Sequence, residues 1–209
     1  MNSWIENPEG GRDRGLRGLA RAWVEVLVRP GRFFANGIAP GDQAPGLTFA
    51  AAVAAAFTLG WVATDPTAVP GIAGSPALSA AVVVLVVTAL AAPVGLHLTA
   101  AVATVSLVVA SLEFDGGISF RERGGVSETV QVVAYASAPM ALAGPPIPVL
   151  RVACGGYATL LLLWGFRVVH ETTPARTLLA GLPAAAFGYG VGYRVVSAVR
   201  SLLDAAPVG

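Results

Sequence analysis

Charge is what this chain has least of. Of its 209 residues 12% are charged and 55% hydrophobic, at a mean hydropathy of +0.70, whereas soluble domains carry about 25% charged residues. That composition belongs to an integral membrane protein. A single cysteine, Cys154, excludes an internal disulfide, and in its greasy surroundings it reads as a small core residue. A net charge of +1 gives no electrostatic case for nucleic acid or for an acidic substrate. The polar opening, residues 1–14, leads into a basic segment and not into a short apolar run with a cleavage site, so it is expected to be retained. Catalytic signatures are missing as well. There is no Gly-x-Ser-x-Gly, no Gly-x-x-x-x-Gly-Lys-Ser/Thr, no Cys-x-x-Cys and no His-Glu-x-x-His, and no lysine or carboxylate lies inside an apolar run. The reading is therefore a non-enzymatic protein with no cofactor and no metal.

The longest absence organises the rest. From residue 77 to residue 112 no Asp, Glu, Lys or Arg occurs. A helix apolar on every face has no water-facing side, and this run exceeds the roughly 20 residues that cross a bilayer. It is read as one long kinked helix bending near Pro93 and Gly95, with two short spans as the alternative. Four further apolar runs give spans at about 47–64, 129–148, 152–169 and 177–196. Pro139 is expected to bend the third, Ser127 to cap its start, and Arg151 and Arg167 to snorkel from the ends of the fourth. The fold class is all-α: a polytopic membrane bundle of five transmembrane helices over residues 47–200, preceded by an N-terminal interfacial amphipathic helix.

That helix covers residues 16–34, after a disordered polar head at 1–15. Leu16, Leu19, Ala20, Trp23, Val24, Leu27 and Val28 recur at spacings of three and four, and Arg17, Arg21 and Glu25 mark a polar face. Trp23 is expected to anchor in the headgroup region, Phe33 and Phe34 to dip into the interface, and the segment to meet membrane lipids at the bundle's inner end. Arginines are dense in the head, in the loop with Arg121 and Arg123, and beside the turn flanked by Arg167 and Arg176. This bias places the N-terminus in the cytoplasm and the C-terminus outside the cell membrane.

Small and polar residues supply the site candidates. Gly181, Ala184 or Ala185, Gly188 and Gly192 recur near one-turn spacing on the fifth span, a groove for internal packing, for a homodimer contact or for a moving element. His97 stands alone near the bend, without the further ligands a metal site needs, and reads as a packed or hydrogen-bonded histidine. Tyr135, Ser137, Tyr157, Tyr189 and Tyr193 are expected to bond between helices or to join the aromatic belts.

The order of short motifs resembles the Yip1 family of small five-span membrane proteins. Arg29-Pro30-Gly31-Arg32-Phe33-Phe34 precedes the first span, and Gly116-Gly117-Ile118-Ser119-Phe120 follows the long second one. Tyr135-Ala136-Ser137-Ala138-Pro139 lies in the third, and Trp164, Gly165 and His170 close the fourth. The stretch from Arg32 to Gly46 is similar to the haloarchaeal branch of that family. The resemblance implies a membrane protein without catalytic residues. Three functions are weighed: organising an unknown membrane partner or lipid at the cytoplasmic membrane, transport through a polar path that would use His97, Tyr135, Ser137 and Arg194, and a membrane enzyme, which would need a compact cluster of acid and base groups.

Overall fold

A computed structural model describes residues 6–7, 11–12, 15–113, 119–120 and 124–206. Nearly all of this is helix. The order is α1 (Gly15–Val28), α2 (Pro30–Asn36), α3 (Ala44–Thr64), α4 (Pro76–Val86), α5 (Ala92–Ala110), α6 (Val126–Ala136), α7 (Pro148–Val169), α8 (Pro174–Ala185) and α9 (Val195–Asp204). Two antiparallel pairs of two residues each are the extended structure among the described residues. The polar head expected at 1–15 lies mostly outside the described residues, as do Gly116, Gly117, Arg121 and Arg123.

Prolines start four of these helices. Pro30, Pro76, Pro148 and Pro174 each take the first helical position, where a missing N–H costs nothing because that donor has no intrahelical partner. At α4 the Ser75 hydroxyl adds a cap by accepting from the Leu78 N–H at 3.1 Å.

Three helices are long and apolar enough to cross a membrane: Ala44–Thr64, the 35-residue Pro76–Ala110, and Pro148–Val169. The second is a single helix, as expected. Its irregularity is a wide turn at Val87–Ala91, just ahead of Pro93, where the proline removes one ladder donor and crowds the preceding carbonyls. His97 donates Nδ1–H to the Pro93 carbonyl one turn earlier at 2.8 Å, and its ring is exposed on the outside of the bundle.

The third element departs from the expectation of a bent helix over 129–148. The α-helix stops at Ala136, and a tighter turn, Ala138–Leu142, carries Pro139. Proline at 139 disfavours helical backbone at Ala138 and its ring would strike the carbonyl one turn back, so the chain ends the helix instead of bending it. The start differs too: Gly125 is the N-cap, and Ser127 falls within the first turn. Every residue from 129 to 140 is buried, because α3, α5 and α7 surround this element. Shielding from lipid explains how it tolerates Thr129, Gln131 and Ser137. Gln131 spans a loop: its Oε1 accepts from the Ala39 N–H at 3.0 Å and its Nε2 donates to the Ala39 carbonyl at 2.7 Å.

The last apolar run also ends earlier than 196. α8 passes into a wide turn, Ala186–Gly192, and the chain then reverses at Arg194, whose φ of 61° lies in the left-handed region. α9 begins there as a separate helix crossing α7, with Val195 against Gly155.

Candidate functional site

Two features occupy the middle of the bundle. The first is an aromatic junction where the N-terminal segment docks. Phe33 packs edge-on against Tyr135 with ring centroids 4.8 Å apart, Phe49 approaches the same tyrosine at 5.0 Å, and Phe34 lies 5.7 Å from Phe33. Edge-to-face aromatic pairs add about 0.5–1.5 kcal/mol each beyond the area they bury. Two glycines on or facing α7 make room. A Cβ on Gly165 would stand 2.5 Å from Val132 Cγ1 and 3.1 Å from the Phe34 ring, and one on Gly31 would touch the Trp164 indole at 3.4 Å. Trp23 donates its indole N–H to the Ala138 carbonyl at 2.9 Å, and Tyr157 donates to the Leu27 carbonyl.

These contacts correct the expectation that Phe33 and Phe34 dip into the lipid interface. Both rings are fully buried in protein, and α1 turns Gly18, Ala22 and Val26 toward the bundle. Periodicity identifies an apolar stripe but does not say whether lipid or protein covers it.

The second feature is a cleft of about 390 Å³ between α3, the long helix, α6 and the wide turn after α8. Its walls are apolar, with Ala50, Ala54 and Phe57 on one side and Leu96 and Gly95 on the other. Ser137, Tyr193 and Arg194 supply polar groups. One end is cationic. The Arg194 guanidinium lies 5.9 Å from the Trp61 ring centre, and Arg151 lies 5.6 Å from that of Phe57. Arg151 does not snorkel: it is buried, and it donates from Nε to the Ala143 carbonyl at 3.1 Å and from Nη2 to the Gly144 carbonyl at 2.8 Å. Those carbonyls are freed by the proline-rich turn, so the arginine caps a chain end that sequence spacing alone does not reveal.

The other candidates fall into place around these features. Gly181 admits Leu163 of α7, with a hypothetical Cβ 2.4 Å from Cδ2, and Gly188 admits Thr99 of α5 at 2.6 Å, so both serve packing within the chain. Gly192 meets nothing within 4 Å and opens onto the cleft. Of the four residues weighed for a polar path, Ser137 and Arg194 line the cleft, Tyr135 is enclosed in the aromatic junction, and His97 faces outward. Among the described residues no group of three or more His, Cys, Asp or Glu side chains is placed to hold a metal ion.

The junction joins three of the motif pieces by which the sequence resembles a family: the Phe33-Phe34 pair, Tyr135 and the Trp164-Gly165 pair. The Yip1 domain model matches residues 24–193. The chain belongs to the Yip1 family. The matched region runs from within α1 to Tyr193 and takes in every residue lining the cleft except Arg194, so both features of this Yip1-family chain lie inside the domain or at its edge. No curated protein and no solved structure matches the chain.

Proposed function

We propose that this Yip1-family membrane protein is a non-enzymatic organiser of lipid or of a partner membrane protein, built from five membrane crossings with the head segment docked on the bundle. The observation that carries the reading is the exposure of the long helix: only 6% of its most apolar window is buried within the chain. Leu85, Leu90, Leu98 and Val105 all project outward, which leaves a tall apolar surface for lipid or for another span. Scattering of the polar candidates speaks against a transport path. The similarity to the haloarchaeal branch rests on the stretch from Arg32 to Gly46, and a homodimer is one form the partner can take.

Photo-crosslinking from position 90 or 98 in cells, followed by mass spectrometry, tests the proposal. Capture of lipid or of one recurring membrane protein is the expected result. Solute flux in proteoliposomes that is abolished by Ser137→Ala or Arg194→Gln would establish transport instead.

Orientation is part of the same proposal. The arginine bias puts the N-terminus and the loop around Ser119 in the cytoplasm and the C-terminal Ala205 outside the cell membrane. In a Cys154→Ala background, an impermeant thiol reagent applied to intact cells is expected to label Ala205→Cys and spare Ser119→Cys. The opposite pattern reverses the orientation.

A further inference from the structure

We propose that the cleft holds one hydrocarbon chain of an anionic membrane phospholipid, with the phosphate seated at Arg194. The inference rests on the membrane reading above and goes beyond it by assigning a site. Depth is the first argument. The lining runs along α3 from Ala50 to Trp61, which at about 1.5 Å per residue is about 16 Å, or roughly half of the ~30 Å hydrocarbon core. The cleft is thus one leaflet deep and runs along an apolar helix long enough to cross. Its volume of about 390 Å³ falls within the range of about 300–1,000 Å³ common to small-molecule sites.

Charge is the second argument. Arg194 stands over Trp61 and Tyr193 packs on Phe57, at the other end of the α3 lining from Ala50. Thr58, Thr99 and Tyr189 also line the cleft but spend their hydroxyls on backbone carbonyls, so a cation at one end of a largely apolar cleft gives the polarity of an anionic phospholipid. Arg194 over Trp61 and Arg151 over Phe57 set two guanidinium groups about one turn apart along α3, so this end is cationic. The donors of Arg151 are engaged with the Ala143 and Gly144 carbonyls. The described contact of the Arg194 side chain is the face of Trp61, which leaves its N–H fork available to a phosphate. A third argument is the backbone at Arg194. A left-handed conformation in a residue with a long side chain is strained and persists where the surroundings require it. Here it turns the chain at the mouth of the cleft.

The test uses the full-length protein in nanodiscs of equal phosphatidylglycerol and phosphatidylcholine, released into a native mass spectrometer. Wild type is expected to retain one phosphatidylglycerol in preference to phosphatidylcholine. Arg194→Gln is expected to lower that preference about fivefold, the worth of one arginine near an anionic surface. Gly95→Leu combined with Gly192→Leu fills the cleft from two sides, and since a Cβ at either glycine meets nothing within 4 Å, the double variant keeps its helical circular dichroism and loses the retained lipid. Equal retention in wild type and the double variant overturns the site. An unchanged preference in Arg194→Gln overturns the headgroup assignment, as does inorganic phosphate binding with no lipid retained. Normal insertion without bound lipid sinks this inference alone. Failure to enter nanodiscs at all sinks the membrane reading beneath it.

Discussion

Gly144→Val is expected to destabilise the bundle by about 3 kcal/mol, the upper part of the usual range for forcing extra atoms into a packed interior. A Cβ at this position would stand 2.4 Å from the Phe57 carbonyl oxygen, 2.9 Å from the Gly60 Cα and 2.9 Å from the Trp61 nitrogen. All three are backbone atoms of α3. They cannot rotate aside as a leucine tip can, so relief requires the proline-rich turn to withdraw from the helix. Withdrawal also pulls the Gly144 carbonyl from Arg151 and disturbs the guanidinium over Phe57, leaving a buried cation short of an acceptor. Thermal unfolding followed by helical circular dichroism in detergent reads the effect. Gly71→Ala, at a position with nothing within 4 Å, is the control and is expected to melt like wild type. Coincident melting of Gly144→Val and Gly71→Ala would show that the contact between the turn and α3 contributes nothing.

The parts of this molecule that sequence reveals are those whose cause is local. The long helix over Pro76–Ala110 is legible because absence of charge over a full crossing has one physical reading, and its first turn is legible because Ser75 and Pro76 are a cap and a first-position proline. α6 is less so. Its apolar pattern runs on past Ala136, and whether Pro139 bends or ends the helix depends on whether neighbours can re-satisfy the freed carbonyls. Here the chain instead tightens into a short turn, and the Trp23 indole bonds one of its carbonyls.

The site was legible in its pieces and not in its assembly. Phe33, Phe34 and Tyr135 stand out as aromatics, but their meeting requires the head to fold back over roughly a hundred residues of chain. The head's periodicity is equally consistent with a lipid surface and a protein surface. Gln131 gives no signal and Arg151 reads as a snorkelling end residue because their partners are backbone carbonyls and an amide, present at every position in a sequence and special only once the fold exposes them. The cleft is made by walls from four elements, and no single stretch records it.

Gly165→Val is expected to undock the head without dissolving the bundle. The added side chain enters between α7 and α2, where a Cβ alone already stands 2.5 Å from Val132 Cγ1 and 3.1 Å from the Phe34 ring. Val132 is β-branched and fully buried and has little rotamer freedom, so it cannot yield. The Phe34 ring can, because α2 is a seven-residue helix between two loops. Displacing it carries Phe33 on the same short helix away from Tyr135, forfeiting an edge-to-face contact worth about 0.5–1.5 kcal/mol together with the apolar burial of two phenylalanines at about 1.5–3 kcal/mol apiece. The loss is therefore on the order of 4 kcal/mol, concentrated on one docking contact and spared elsewhere. Two readouts separate undocking from general unfolding. Limited trypsin digestion is expected to cleave at Arg32 much faster in the variant, and a spin label at Val28 is expected to gain mobility, while helical circular dichroism and the melting of the remaining bundle stay close to wild type. Gly156→Val, one helical face away on α7 with nothing within 4 Å of its Cβ, is expected to leave both readouts unchanged. Protection of the head in Gly165→Val equal to that in Gly156→Val would mean that the segment is held by something other than the aromatic junction, and the assignment of Phe33, Phe34 and Tyr135 as its dock would have to be abandoned.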